Sequence, residues 1–280
     1  MTEIFFPSSL NEYFSILNKE LNKNETCTKC SSGVTLLQHQ HTKEFILPHN
    51  IISLDKIDDL YKIDRTERYL EVGAMVTLSQ IIKLGKVVPE ILKETIQSMA
   101  SLQLQNLLNL GCSIYQKTDS SAITAAMVAL DARYELRSAN TSRWIKAEML
   151  ANEKLQLSKA DELLCRVRFP LEQWDYTLGE SLSGIDANGE QTENDFVIFL
   201  ASLQKDILSS VRIVFAGEQV IRERNIEDKL VGKKLPLDIK EAESFIDVWK
   251  TFLEDSDQKY AFTYSRFLNF IELAIMHFVD

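Results

Sequence analysis

"PEILKETIQSMASLQLQNLLNLGCSI", residues Pro89 to Ile114, decides how the rest of this 280-residue chain is read. Pro89 stands near the first turn of a helix, where its missing N–H is not needed and its fixed φ helps. That helix is expected to end before Gln105, leaving "SLQLQNLLNLGCSIYQ", Ser101 to Gln116, as the loop behind it. In this loop Gly111 is followed by Cys112 and Ser113, with apolar residues on both sides and no catalytic residue beside them. A tight, polar, uncharged turn between two apolar segments needs a reason.

A second turn of the same kind lies about eighty residues earlier in "CSSGVTLLQ", Cys30 to Gln38. Successive N–H groups in a turn make an anion-binding concavity that needs no charged side chain. Glycine lets the backbone approach a pyrophosphate closely, and hydroxyls add donors. Two such turns, each after a buried segment in a different subdomain, can hold one extended dinucleotide between them. They can equally be two loop glycines, which on spacing alone is the simpler reading.

Outward from these turns the elements alternate. "EIFFP" is a short strand, and "SSLNEYFSILNKELNKN" a helix with Ser8 or Ser9 as N-cap and Glu12 placed as in a capping box. "TCTKCSSGVTLLQ", "EFILP" and "NIISL" are strand-like, completing a β-α-β opening. In the middle, Tyr69 to Val72 is a strand leading to a helix capped by Thr77. "SAITAAMVALDARYELRS" passes from an alanine-rich helix to a strand. In "ADELLCRVRFP" the alternation puts Leu164, Arg166 and Arg168 on one face and Cys165, Val167 and Phe169 on the other. "GESLSGIDANGEQTEN" is the best linker. Beyond it come "DFVIFLASLQKD" (helix or strand), paired strands in "ILSSVRIVFAGEQVI", an amphipathic helix in "DIKEAESFIDVWKTFLED" and a largely buried helix in "YAFTYSRFLNFIELAIMHFV". The fold class is α+β.

Composition narrows the function. A net charge of −10 argues against an independent nucleic-acid binder, which needs a basic face. No apolar run approaches a membrane span, the start lacks the features of a signal peptide, and four cysteines in 280 residues suit a reducing compartment. A cytoplasmic protein is expected. Cys27-x-x-Cys30 with His39-x-His41 is the most tempting metal pattern, but only eight residues separate the pairs and a strand pattern between them would carry the pairs apart. No metal is expected. Neither a P-loop nor G-x-G-x-x-G occurs, and four histidines with no G-x-S-x-G give no nucleophilic triad. No catalytic side chain is expected.

At these residues the chain resembles the FAD-binding (medium) subunits of the molybdenum hydroxylases, the xanthine dehydrogenase and carbon monoxide dehydrogenase group. The resemblance runs nearly end to end. "FFPSSLNEYFSIL" is similar to the family's opening, "CSSGVTLLQ" stands at its A-G-G-T-D-L-L, and "LEVGAMVTLSQI" at its I-G-A segment. "PEILKETIQSMASLQLQNLLNLGCSI" follows its A-S-x-Q-I-R-N-x-x-T-I-G-G-N run, and "AMVALDARYEL", "VRIVFAG", "LVGKKL" and "YSRFLNFIELAI" follow in order.

This resemblance implies a PCMH-type (vanillyl-alcohol-oxidase-like) FAD-binding fold over 1–172, with subdomains of about 1–55 and 56–172. A linker over 173–192 and a small C-terminal sheet-and-helix domain over 193–280 would follow. It implies FAD held at a first bend of Ser31, Ser32, Gly33, Val34, Thr35 and Leu36 and a second of Asn109, Leu110, Gly111, Cys112, Ser113 and Ile114, with Thr118 and Ser121 near the ribityl chain. It implies partners too: a molybdopterin-binding large subunit and a 2Fe–2S small subunit, with NAD as one possible acceptor. The pattern is altered at several places. Ser32 and Cys112 stand for glycines, Val34 for threonine, Ser113 for asparagine, Gln105 for arginine and Ala122 for an aspartate. Each lost hydrogen bond would cost about 0.5–1.5 kcal/mol. The rival expectation is therefore a flavin-free scaffold subunit of the same fold.

Overall fold

Two serines share the start of the first helix. Ser9 Oγ accepts from the Glu12 amide at 3.3 Å, while the Glu12 carboxylate accepts from the Ser8 N–H and Oγ at 2.7 and 2.9 Å. The computed structural model describes residues 3–22, 27–30, 50–115, 121–151, 161–182, 195–217, 220–254 and 261–279. They fall into two units, the first comprising Met1–Val88, Ile96–Ser120 and Leu130–Leu171.

In the first unit, β1 (Glu3–Phe5), β2 (Cys27–Cys30) and β3 (Asn50–Ser53) form a parallel sheet in the order β1-β3-β2. Helix α1 (Leu10–Asn22) buries Leu10, Tyr13, Phe14 and Leu17, the residues at helical spacing, against Ile52, Leu54, Ile57, Leu60, Met75, Leu163 and Cys165. A second, antiparallel sheet holds β4 (Ile63–Arg65), β5 (Tyr69–Gly73), β6 (Arg133–Arg137), β7 (Ser142–Lys146) and β8 (Leu163–Pro170), in the order β4-β5-β8-β6-β7. The alternation expected in β8 is present: Val167 and Phe169 are fully buried, and Arg166 and Arg168 are not. A bulge pairs Glu135 with Arg166 but Leu136 with Leu164, so Leu164 is buried rather than left with the arginines.

Along the chain between β5 and β8 come α2 (Leu78–Lys83), α3 (Glu90–Met99), α4 (Leu102–Leu107), α5 (Leu110–Tyr115), α6 (Ser121–Ala129) and α7 (Ala147–Ala151); α6 and the first turns of α3 belong to the second unit. Helix α3 starts after Pro89 and ends before Gln105, as expected. The loop expected behind it is instead two short helices. Ser101 Oγ accepts from the Leu104 amide at 3.5 Å and Gln105 Nε2 donates to the Ala100 carbonyl at 2.8 Å, which closes α4 on itself.

The second unit comprises Pro89–Thr95, Ser121–Ala129 and Glu172–Asp280. Its antiparallel sheet has the order β12-β11-β10-β9, from β9 (Tyr176–Ser181), β10 (Phe196–Gln204), β11 (Ile207–Ala216) and β12 (Val220–Ile221). "DFVIFLASLQKD" is thus a strand, and all of β9, Tyr176–Ser181, lies within the 173–192 expected as linker. Lys205 and Asp206, both at positive φ, make the two-residue turn between β10 and β11. Helices α8 (Arg224–Glu227), α9 (Ile239–Glu254) and α10 (Ala261–Met276) complete a core around Phe199, Phe215, Trp249 and Phe267. Helix α10 is less enclosed than its composition suggested, with Leu273 69% and Met276 44% exposed. The C-terminal carbonyls of α6, which no helical amide can satisfy, accept from two buried arginines: Arg222 Nη1 to Val128 at 3.0 Å and Arg212 Nη1 to Ala129 at 2.7 Å.

Candidate functional site

The second bend is built by two segments of the first unit running side by side. The chain leaving β5 is fixed by Gly73 N–H to the Lys62 carbonyl (2.8 Å), Ala74 N–H to Cys165 (2.9 Å) and Met75 N–H to Leu60 (2.9 Å). The chain entering α5 then lies antiparallel to it. Leu78 N–H donates to Leu108 and Leu110 N–H to Val76, both at 3.0 Å, Gly111 N–H donates to Ala74 at 2.8 Å, and Thr77 pairs with Asn109. This closeness explains Gly111: a Cβ there would stand 3.0 Å from both the Cβ and the carbonyl oxygen of Ala74.

Asn109 caps the helix that follows. Its Oδ1 accepts from the Cys112 amide at 2.8 Å and its carbonyl accepts from the Ser113 amide and the Ser113 hydroxyl, each at 3.1 Å. Asn109, Leu110, Cys112, Ser113 and Ile114 are all buried, none more than 7% exposed. The segment expected as an open turn is therefore the closed start of α5. The amides of Leu110, Gly111, Cys112 and Ser113 each already have a protein acceptor. An anion cradle needs donors that point at the ligand, so this bend, as folded, does not fit a diphosphate.

Of the other expected site residues, Ser31, Ser32, Gly33, Val34, Thr35, Leu36 and Thr118 lie outside the described residues. Ser121 is the first residue of α6, and Ala122, at the family's aspartate position, is buried. Cys27 and Cys30 end β2, while His39 and His41 lie outside the described residues. Among the described residues no three His, Cys, Asp or Glu side chains gather as a metal site, and no helix is long and apolar enough to cross a membrane.

Sequence reasoning saw Arg166 and Arg168 on one face of β8 but missed their partners. Arg166 donates to Glu135 Oε2 at 2.6 Å and to Glu71 Oε2 at 3.0 Å, Arg168 to Glu71 Oε1 at 2.7 Å, and Arg137 to Glu135 Oε1 at 2.8 Å. Burial alone would raise Glu135, but the bonds from Arg166, Arg137 and Ser142 outweigh it and hold the carboxyl below its usual range. Beside this ladder Leu10, Asp59, Lys62, Arg137, Cys165 and Arg166 line an open cavity of about 110 Å³. Its thiol is inert, since burial pushes Cys165 up to about 12. The only advance signal for this cluster was alternation; that acids on β5 and β6 face those arginines depends on strand order.

Residues 1–172 match the family described as the FAD binding domain in molybdopterin dehydrogenase. The chain belongs to that family. Similar solved structures extend the likeness through the second unit. Quinoline 2-oxidoreductase from Pseudomonas putida 86 superposes with a TM-score of 0.78 at 20% identity, over 99% of this chain and 96% of its own. Carbon monoxide dehydrogenase from Hydrogenophaga pseudoflava, in a form lacking the Mo-pyranopterin moiety of its molybdenum cofactor, gives 0.77 at 17%, over 97% and 94%. A cyanide-inactivated Cu,Mo-CO dehydrogenase gives 0.77 at 17%, over 97% and 95%. No curated protein sequence matches the chain. At these identities the structural likeness carries the fold, and the family match carries membership: an FAD-binding-domain protein of the molybdopterin dehydrogenases, with the PCMH-type fold expected from its sequence.

Proposed function

We propose that this chain is the FAD-dependent electron-transfer subunit of a molybdenum hydroxylase-type oxidoreductase. It works beside a molybdopterin-binding large subunit and a 2Fe–2S small subunit and delivers electrons to NAD or another acceptor. The observation that carries this reading is coverage: the likeness takes in the second unit as well as the FAD-type domain, and leaves only 4–6% of the first two compared chains unmatched. The chain has only four cysteines, and of these Cys112 and Cys165 are buried and outside any disulfide. Iron–sulfur and molybdenum centres are thus assigned to partner chains. FAD, when bound, supplies the one- and two-electron redox chemistry; the protein supplies binding and orientation. With the second bend closed, the first bend from Ser31 to Leu36, together with Thr118 and Ser121, is left to hold it, and the flavin is weakly held. Co-expression with the neighbouring large and small subunits tests this. A three-chain complex that shows flavin absorbance, releases FAD on denaturation and bleaches with a reductant supports the reading. Recovery of the chain alone, with neither partner, defeats it.

A second reading, a flavin-free assembly subunit, is favoured by one observation: the internally bonded amides of α5. A colourless three-chain complex that takes up no added FAD selects it.

A further inference from the structure

The residues at the second bend disagree with the group the family binds: the Ala74 and Val76 carbonyls take two of its amides and Asn109 takes the next two. We infer that Asn109 acts as an internal stand-in for the phosphate: its carboxamide oxygen takes the Cys112 amide, so α5 begins as a self-capped helix that makes no contact with a bound dinucleotide. Four observations converge. Asn109 Oδ1 lies 2.8 Å from the Cys112 nitrogen, and the Asn109 side chain is fixed further by Nδ2, 3.7 Å from the Met75 sulfur. The Gly111 and Leu110 amides are spent on the Ala74 and Val76 carbonyls. The Ser113 hydroxyl is spent on the Asn109 carbonyl. Asn109 and Ser113 are 2% and 1% exposed, so a ligand outside has no path to these donors without unfolding the bend. The bend keeps its shape for a structural reason: it closes the two-segment ladder between 74–78 and 108–111. A buried donor left unpaired is costly, and a side-chain acceptor that is always present removes that cost whether or not a ligand arrives.

The inference deepens the flavoprotein reading, and the test separates the two. Backbone amide hydrogen exchange is followed by NMR on the full-length chain, without ligand and with saturating FAD. The amides of Gly111, Cys112 and Ser113 are expected to be protected without FAD and unchanged with it. Open exchange in the ligand-free chain, or protection that appears only on adding FAD, overturns the inference while leaving the flavoprotein reading intact. If the chain takes up no FAD and the three amides are protected, the inference stands and the flavin reading falls. Binding supplies the second arm. Restoring the family pattern with Cys112→Gly and Ser113→Asn is expected to leave the FAD dissociation constant within about twofold, whereas a tightening of about tenfold or more, the size of one good hydrogen bond gained, means that the ligand reaches the bend. Asn109→Ala is expected to speed exchange at Cys112 by about tenfold or more, and Asn109→Ser, which can still cap, to restore much of the protection. Equal exchange in all three proteins would remove Asn109 from the role.

Discussion

Thr77 and Asn109 face each other across one bridge and each opens a short helix, yet the two starts use their donors differently. At Thr77 the cap is a reciprocal box: its hydroxyl accepts from the Gln80 amide at 3.2 Å and Gln80 Oε1 accepts from the Thr77 amide at 2.9 Å. Gln80 is exposed, so water can substitute for either partner. At Asn109 the cap is buried, and nothing outside the protein can substitute. The same local motif is therefore a modest surface device in one place and a fixed part of the interior in the other. Burial separates them: an unpaired amide in contact with water is solvated, and one sealed in the interior pays its full desolvation cost.

Substitutions can break or sharpen this contrast. The largest effect is expected where the ladder is anchored, at Gly73. A Cβ there would meet the Leu60 carbonyl oxygen at 2.1 Å, so Gly73→Ala must displace backbone, and a loss of about 3 kcal/mol or more is expected in chemical denaturation. Next comes Asn109→Ala, which removes a cap and strands a buried donor; about 2–3 kcal/mol is expected. If Asn109→Ala costs no more than the corresponding change at Thr77, the contrast drawn from burial is wrong. Gly111→Ala sets a Cβ 3.0 Å from Ala74 and is expected to cost about 1–2 kcal/mol, with the Gly111 and Leu110 amides exchanging faster as the ladder opens. Thr77→Ala is the smallest, about 1 kcal/mol or less, since its partners are open to water. Thermal or urea unfolding of the four variants side by side ranks them.

Much of the fold was legible in the chain. Leu10, Tyr13, Phe14 and Leu17 specified α1 and its buried face by spacing, and Val167 and Phe169 specified the inner face of β8 by alternation. Thr77 and Pro89 marked helix starts by side-chain chemistry alone. The stretch from Ser101 to Gln116 misled because its apolar residues follow no long helical period; two helices of six residues each, started by Ser101 and Asn109, are too short to show one. "DFVIFLASLQKD" was ambiguous for a related reason, since a continuous apolar run fits a buried strand or a buried helix equally well until its neighbours β9 and β11 are known.

What this sequence determined by itself was membership of the family and the elements with clear spacing or caps, because spacing, caps and an ordered series of short motifs are properties of neighbours along the chain. What only the tertiary structure decided was the fate of the second bend and the pairing of Glu71 and Glu135 with the arginines of β8. Whether an amide faces a ligand or a carbonyl depends on which distant segment lies against it. Here that segment is 74–78, some thirty residues earlier in the chain, and its Ala74 and Val76 carbonyls took the Gly111 and Leu110 donors.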